Sequence, residues 1–155
     1  MTKKVETYFL GLVCAITALL VWYAIQPGHD WGGDFAQYIQ QAKYLSKGDS
    51  LQELYNWNKT SLLASKEEFA PYLYPMGFPV ILSIVYAIFG MNFIAMKIFC
   101  GMFFVASIPI IYRLVKKYFD GKWGAVILTC LVAFNFQLIF HADNVLSDLP
   151  FLFFC

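Results

Sequence analysis

The stretch that decides the fold is "YFLGLVCAITALLVWYAIQ", which runs from Tyr8 to Gln26 without a charged residue. A helix needs roughly 20 apolar residues to cross the hydrocarbon core of a bilayer. The stretch therefore predicts a first membrane span over 8–26. Lys3 and Lys4 precede it, which predicts a cytoplasmic N-terminus by the positive-inside rule. The apolar region is too long for a signal peptide, so we expect an uncleaved anchor.

The composition of the whole chain is that of a membrane protein. Of its 155 residues, 60% are hydrophobic and 14% are charged. A soluble domain is about half apolar and about a quarter charged. No basic face indicates nucleic acid as a partner. The cysteines stand alone in apolar runs, without the paired spacing of disulfides or metal sites, and are interpreted as small buried hydrophobic residues: Cys14, Cys100, Cys130 and Cys155.

The middle of the chain permits two arrangements in the membrane. Two spanning helices fit its length, but they would place the basic segment "RLVKKYFDGK", Arg113 to Lys122, on the outer face against the positive-inside rule. The favoured interpretation has one span over 92–112 that runs from outside to inside. The apolar block "YPMGFPVILSIVYAIFG", Tyr74 to Gly90, then forms a helix over 75–90 in the outer leaflet.

The remaining apolar stretches complete the predicted topology. A third span is predicted over 123–140, and "LPFLFFC" starts a fourth at 149. Since so short a helix cannot cross a bilayer, we expect the 155 residues to be the N-terminal part of a larger protein. The predicted fold is an all-α polytopic membrane protein whose outer loop, 27–91, carries amphipathic interfacial helices.

Two polar clusters follow the first and third predicted spans and therefore share the outer face of the membrane. They are "HDWGGD", residues 29–34, and "HADNVLSD", residues 141–148. Their ionisable side chains are those of His29, Asp30, Asp34, His141, Asp143 and Asp148. These groups are of the types that bind divalent cations, but no metal-ligand spacing specifies one, so a metal cofactor is left open.

The acidic residues of these clusters have structural as well as functional interpretations. After Asp34, apolar residues repeat with helical spacing, which predicts an amphipathic interfacial helix over 35–47. A carboxylate at its start is a common helix N-cap, and on spacing alone this role is favoured over catalysis. Asp148 has the same alternative, while Asp30 and Asp143 are interpreted as solvated loop residues.

Two further residues have both a structural and a functional interpretation. Lys97 lies near the outer end of the predicted second span. Its ammonium group either snorkels to lipid headgroups or binds a lipid phosphate, and the sequence leaves both open. The motif "NKT" at Asn58 matches a glycosylation acceptor, although so short a motif is frequent by chance.

The order of these features resembles the polyprenyl-phosphate-sugar-dependent glycosyltransferases of the GT-C superfamily. The similar branch is family 39, with protein O-mannosyltransferases and lipid A aminoarabinose transferases. The resemblance is carried by "GGDFAQYIQQAKYLSKGD" after the first span, the Tyr-Pro block "YPMGFPVILSIVYAIFG", Lys97 at the start of the next span, and "VLSDLPFLFF". Each motif is weak alone, but their order and spacing extend over the whole chain.

The resemblance implies transfer of a hexosyl or pentosyl group from a polyprenyl-phosphate-linked donor to a glycan, lipid or protein acceptor. By motif position, Asp34 matches the family's catalytic aspartate, Asp148 a second carboxylate, and Lys97 a basic residue at the donor phosphate. The residues further predicted to contact substrate from the same membrane face are Asp30, Tyr38 and His141. Phe35 stands where many members carry a second acid, which argues against metal binding there.

The resemblance leaves other functions open. A transporter fragment and a non-catalytic membrane scaffold are the alternatives, although transporters usually carry ionisable groups near the bilayer midplane. The transferase interpretation predicts a multi-pass protein of the plasma or inner membrane whose active-site loops are extracytoplasmic. It also predicts that the 155 residues alone are inactive, because much of the family's cavity lies in later spans.

Overall fold

A computed structural model describes residues 3–29, 34–64, 71–118 and 122–155. Every regular element within these ranges is an α-helix, so the predicted all-α class is confirmed. In chain order the helices are α1 (Lys3–Ala24), α2 (Phe35–Lys47), α3 (Leu51–Leu63), α4 (Gly77–Phe89), α5 (Phe93–Tyr118), α6 (Lys122–Ala133), α7 (Phe136–His141) and α8 (Asp148–Phe154). The chain divides into two compact units: a bundle unit, residues 1–29 and 97–155, and a loop unit, residues 30–96.

In the described part of the chain, α1 and α5 are the helices long and apolar enough to cross a membrane. α1 begins five residues before the span predicted from Tyr8, and α5 continues past Tyr112 through the basic residues to Tyr118. The apolar helices α4 and α6 are shorter. The placement of the predicted spans in a bilayer stays a prediction.

α1 and α5 run antiparallel within the bundle unit. Contacts join the start of α1 to the end of α5: Glu6 Oε1 lies 2.6 Å from Lys116 Nζ, and the rings of Phe9 and Tyr112 are 6.0 Å apart. At the opposite ends, Lys97 Nζ donates to the Gln26 carbonyl at 2.9 Å. The segment that connects α1 and α5 therefore begins and ends at the same end of this helix pair.

The two helices approach closely at Gly101. A Cβ at this position would lie 2.6 Å from Val21 Cγ1, which is closer than real Cβ contacts allow, so the contact requires glycine. Val21 and Phe104 belong to one buried cluster, and Val13 and Ile108 to another. These apolar contacts fix the register of the pair through dispersion and close packing.

Pro109 lies inside α5 and removes one backbone N–H from the helix. The carbonyl four residues earlier belongs to Val105, and the Cys14 thiol of α1 contacts it at 3.9 Å as a weak donor. Cys14 is half-buried, so it is a small packed residue with a polar contact.

The predicted third span over 123–140 is divided into two helices. α6 ends at Ala133, and the Asn135 side chain caps α7 by accepting the Leu138 N–H at 3.1 Å. The Thr17 hydroxyl of α1 approaches the Ala133 carbonyl at 3.4 Å. The Asn135 cap and the Thr17 hydroxyl give the backbone between α6 and α7 its hydrogen-bond partners. The apolar length of the sequence did not reveal this interruption.

In the loop unit, α2 packs against α4 and contacts α3. α2 has the bounds predicted for it, and Gly48 ends it in the left-handed conformation with φ 72°. α4 lies within the predicted range 75–90. Buried residues on one face of α2 form the apolar stripe expected from the spacing: Phe35, Tyr38, Ile39 and Ala42.

α3 was not predicted, because its sequence has only a weak apolar pattern. It corrects the interpretation of Asn58, which is 5% exposed. The Asn58 side-chain amide donates to the Tyr72 carbonyl at 2.7 Å. Because the Asn58 amide is buried and hydrogen-bonded, it is not accessible as a glycosylation acceptor.

Candidate active site

Asp34 immediately precedes α2 and exposes its carboxylate. Its carbonyl accepts the first helical N–H groups, from Gln37 at 3.1 Å and Tyr38 at 3.2 Å. Its side chain makes no capping hydrogen bond, and its backbone is helical, with φ −81° and ψ −10°. An N-cap usually has extended backbone and a side chain bonded to the helix. The interpretation of the Asp34 carboxylate as a capping group is therefore wrong.

The phenol of Tyr74 lies near enough to Asp34 to be influenced by the charge of its carboxylate. Burial raises the pKa of Tyr74 well above its ordinary value, and the nearby Asp34 carboxylate raises it further. The phenol is therefore protonated at physiological pH.

Tyr74 is itself held from both sides by Gln41, a fully buried side chain of α2. The Gln41 amide donates to the Tyr74 carbonyl at 2.9 Å and accepts the Tyr74 N–H at 2.8 Å. The two bonds fix the backbone immediately before the Tyr-Pro peptide. The structure shows that Gln41 serves a partner 33 residues away.

The segment before Tyr74 is held by two further amide side chains. Gln37 donates to the Pro71 carbonyl at 2.6 Å, and the Tyr72 carbonyl accepts from Asn58. Since backbone outside regular structure must find partners when it is partly buried, these bonds account for the ordered path of the segment along α2.

Tyr38, predicted to contact substrate, is 8% exposed. Its ring lies 4.7 Å from that of Tyr74, and 5.1 Å from that of Phe78 in an edge-to-face arrangement. These are favourable geometries for aromatic pairs. The ring of Tyr38 is thus part of the apolar core between α2 and α4.

Lys97 and Asp143 form an ion pair in the bundle unit, in which the lysine is buried and the Asp143 side chain is 25% exposed. Lys97 is 1% exposed, and its Nζ lies 2.7 Å from Asp143 Oδ1. The same oxygen accepts the Gln26 N–H at 2.8 Å. The snorkelling interpretation of Lys97 and the solvated-loop interpretation of Asp143 are both wrong. The two charges pair with each other because an isolated buried charge is strongly unfavourable.

Asp148 is exposed and is the first residue of α8. The N-cap position belongs to Ser147, so the predicted capping role was placed one residue too late. In the first turn, the carboxylate still interacts favourably with the helix dipole. No hydrogen bond engages this carboxylate among the described contacts of α8.

The two histidines occupy different positions in the bundle unit. His29 Nε2 accepts the Val145 N–H at 3.1 Å, which joins the chain after α1 to the loop before α8. His141 ends α7, and its Nε2 lies 3.4 Å from the Gln137 amide nitrogen. The buried Nδ1 of His141 has no hydrogen-bond partner within the described ranges.

The polar residues do not form a metal site in the part of the chain that the structure describes. No three His, Cys, Asp or Glu side chains come together there in a group suited to an ion. Asp30, predicted to contact substrate, lies outside the described residues. Asp34 and Tyr38 belong to the loop unit, whereas Asp148, Lys97 and His141 belong to the bundle unit.

The sequence profile of the dolichyl-phosphate-mannose-protein mannosyltransferases matches residues 11–155. The chain belongs to this family. It is therefore related to the membrane glycosyltransferases of the GT-C type, as the motifs predicted. Comparison with curated proteins gives no match. Comparison with solved structures gives none either.

Membership in the mannosyltransferase family favours the transferase over the transporter interpretation, because the match includes both acidic segments and the Tyr-Pro block. The sequence singled out Asp34, Asp148 and Lys97 but missed Asp143 and Tyr74. A signal for Asp143 existed: a lysine inside a predicted span needs an acidic partner, and Asp143 lies in one of the two polar clusters on the same predicted face.

Proposed function

We propose that this mannosyltransferase-family protein transfers a sugar from a polyprenyl-phosphate-linked donor to an acceptor hydroxyl at the outer membrane face. The observation that carries the proposal is the exposed Asp34 carboxylate, which has no capping bond and lies in a segment matched by the family profile. The family description names dolichyl phosphate mannose as donor and protein as acceptor. We extend both to this chain as part of the proposal.

Asp34 acts as the general base in this mechanism. The acceptor hydroxyl attacks the anomeric carbon, and its proton passes to the Asp34 carboxylate as the new glycosidic bond forms. The bond between the anomeric carbon and the phosphate oxygen breaks, and polyprenyl phosphate leaves with the electron pair. A single displacement inverts the anomeric configuration, as in other inverting sugar transfers.

Asp148 supports Asp34 from the second acidic segment, and Lys97 contributes positive charge near the donor phosphate. Lys97 is enclosed by Asp143 and Gln26, so a direct bond to phosphate requires it to leave part of that pairing. A cation also stabilises a developing phosphate charge through the field of the site. Tyr38 contributes through the packing under Asp34, and Asp30 and His141 contact substrate in the same outer segments.

The antiparallel α1–α5 pair supports the proposed topology. If α4 also spanned the membrane, α5 would start on the side where α1 starts. Lys97 at the start of α5 instead meets Gln26, just after the end of α1. This geometry favours a single span after the outer loop, with Arg113 to Lys117 on the same side as the N-terminus.

A groove beside α2 is the proposed place for the lipid tail of the donor. Its volume is about 240 Å³. It is lined by Phe35, Ala36, Ile39, Gln40, Lys43, Met91 and Phe93. Most of these side chains are apolar, and one cation stands at the groove, which suits an isoprenoid chain attached to a phosphate.

The test replaces Asp34 with asparagine in the full-length protein in its native membrane. Asp34→Asn keeps the shape of the side chain and removes its basicity. We expect turnover of a polyprenyl-phosphate mannose donor to fall by a factor on the order of 100 or more. Asp49→Asn, an exposed acid beyond the C-terminal end of α2, is the matched control. Normal turnover in the Asp34 variant, at equal protein level, would refute the catalytic assignment.

A further inference from the structure

We propose that His29 is a positioning residue for this transfer, whose imidazole fixes the loop between α7 and α8 and thereby the place of the Asp148 carboxylate. The inference rests on the proposed function, because it assigns His29 a role through Asp148. Both residues and the loop lie in the bundle unit, so the arrangement stands on contacts within one compact body.

The loop over 142–147 contains a backbone group that the neighbouring helix does not satisfy. α7 ends at His141, and the turn after it continues as far as the Asn144 N–H, which donates to the His141 carbonyl at 3.1 Å. The next N–H belongs to Val145, which is fully buried. A buried backbone N–H without a partner is unfavourable. His29 Nε2 accepts this N–H at 3.1 Å and so holds the middle of the loop.

A second contact joins the same two segments of the chain. Asp143 Oδ1 accepts the Gln26 N–H at 2.8 Å and the Lys97 ammonium at 2.7 Å. Gln26 and His29 both follow the end of α1, and their partners, Asp143 and Val145, are two residues apart in the loop. The chain after α1 therefore holds the loop at two neighbouring points.

Asp148 lies just beyond the part of the loop that is held in this way. The residue after it, Leu149, is buried in one cluster with Ala142 and Phe104. The exposed carboxylate thus extends from backbone that apolar packing fixes on one side and the bond to His29 fixes on the other. Small displacements at a reacting centre lower rates strongly, by about 100-fold for about 1 Å. Loosening the loop should therefore lower turnover.

The bond to Val145 defines what the side chain at position 29 must provide. A backbone N–H is only a donor, so Nε2 is the unprotonated nitrogen of a neutral ring that carries its hydrogen on Nδ1. The requirement is one acceptor atom at the distance of Nε2 from the backbone. A glutamine side chain reaches this distance with its amide oxygen, whereas an asparagine side chain is one methylene shorter.

The experiment compares His29→Gln with His29→Asn in the full-length protein. The two variants carry the same amide and differ only in its reach, so His29→Gln is the matched control. We expect His29→Gln to retain the parental kcat and His29→Asn to lower kcat about 10-fold, with the KM for the donor unchanged in both. Equal kcat values in the two variants, whether high or low, would overturn the inference.

Hydrogen exchange over the loop measures the bond independently of activity. We expect the Val145 amide to exchange slowly in the parent and in His29→Gln, and faster in His29→Asn, because the amide loses its partner. Mass spectrometry of peptides that contain residues 142–148 follows this exchange. Rapid exchange of the Val145 amide in the parent would overturn the inference even if His29→Asn does not accumulate in the membrane.

A double variant separates positioning from a general structural role. In the Asp148→Asn background, His29→Asn should cause no further loss of kcat, since the carboxylate that the loop places is gone. An equal loss in both backgrounds, or a parental kcat for Asp148→Asn alone, would overturn the inference. If Asp34→Asn is inactive and His29→Asn retains the parental kcat, only this inference fails. If Asp34→Asn is fully active, the proposed function fails.

Discussion

The carboxylates of Asp143 and Asp34 have opposite surroundings in the two units. Asp143 is paired with a buried ammonium and accepts a backbone N–H through the same oxygen. Asp34 is exposed, and its side chain makes no capping hydrogen bond. The difference shows that Asp143 is the acid with a structural role. Protonating Asp143 would leave Lys97 as an unpaired buried charge, whereas Asp34 can take a proton without that penalty.

The sequence suggested the reverse distribution of structural roles. Asp34 had the spacing of a helix cap, and Asp143 had the surroundings of a solvated loop. Both interpretations rested on neighbours close along the chain. The partner that decides the role of Asp143, Lys97, lies 46 residues away. For Asp34, the absence of a side-chain bond to its own helix decides against the capping role.

The largest expected effect is on stability and comes from breaking the Lys97–Asp143 pair. Asp143→Leu removes the carboxylate and leaves the Lys97 ammonium, which is 1% exposed, without its counter-ion. We expect a loss of about 3–5 kcal/mol in the free energy of unfolding, because breaking a buried pair leaves an uncompensated charge. Thermal unfolding of the purified full-length protein in detergent measures the change.

The double variant Lys97→Met with Asp143→Leu is the control for this prediction. Removing both charges should restore most of the stability, since well-packed apolar replacements of a buried pair are often neutral. Its activity is a separate readout: a folded but inactive double variant supports a role of Lys97 at the donor phosphate. Equal stability of Asp143→Leu and the parent would contradict the structural importance of the pair.

The sequence predicted the elements that have a continuous local pattern. α2 was predicted with its bounds because an apolar stripe and a terminal glycine define it, and α1 and α5 because apolar length defines them. The division between α6 and α7 was missed, because Asn135 interrupts an otherwise apolar run. α3 was missed because its composition is nearly balanced between polar and apolar residues.

The candidate site was predictable only in part, for the same physical reason. Single residues such as Asp34 and Asp148 stood out by residue type and motif. Their partners did not, because a glutamine such as Gln41 gives the same signal on a solvated face as in a buried clamp. The two positions can be distinguished only in the folded structure, in which the Tyr74 backbone before Pro75 bonds to Gln41.

A smaller effect is expected from removing the hydrogen bonds that Gln41 makes with the Tyr74 backbone. Gln41→Leu keeps the volume of the side chain and leaves the Tyr74 N–H and carbonyl without partners. We expect a loss of about 1–3 kcal/mol in the free energy of unfolding, the usual penalty for buried polar groups left unsatisfied. Turnover should fall as well, because Tyr74 loses its fixed position. Melting temperature and initial rate are measured together.

Gln52→Leu is the matched control for the Gln41 variant, because Gln52 is exposed and bonds only to Asn56 among its described contacts, at 3.2 Å. It should leave both quantities unchanged. If Gln41→Leu lowers stability but not turnover, the clamp supports the fold of the loop unit alone. That result would mean that the position of Tyr74 does not affect turnover.

The smallest expected effect comes from the second ion pair of the bundle unit, Glu6 with Lys116. Its atoms are 2.6 Å apart, much as in the Lys97–Asp143 pair, but the side chains are 20% and 49% exposed. Water solvates both charges before and after the pair breaks, so Glu6→Gln should leave the melting temperature unchanged within error. Asp143→Asn makes the same chemical change beside a lysine that is 1% exposed and should lower the melting temperature by several degrees. Measuring both variants at low and high salt separates burial from distance, because salt screens only the exposed pair. Equal losses in the two variants would mean that proximity, and not burial, determines the contribution of an ion pair in this protein.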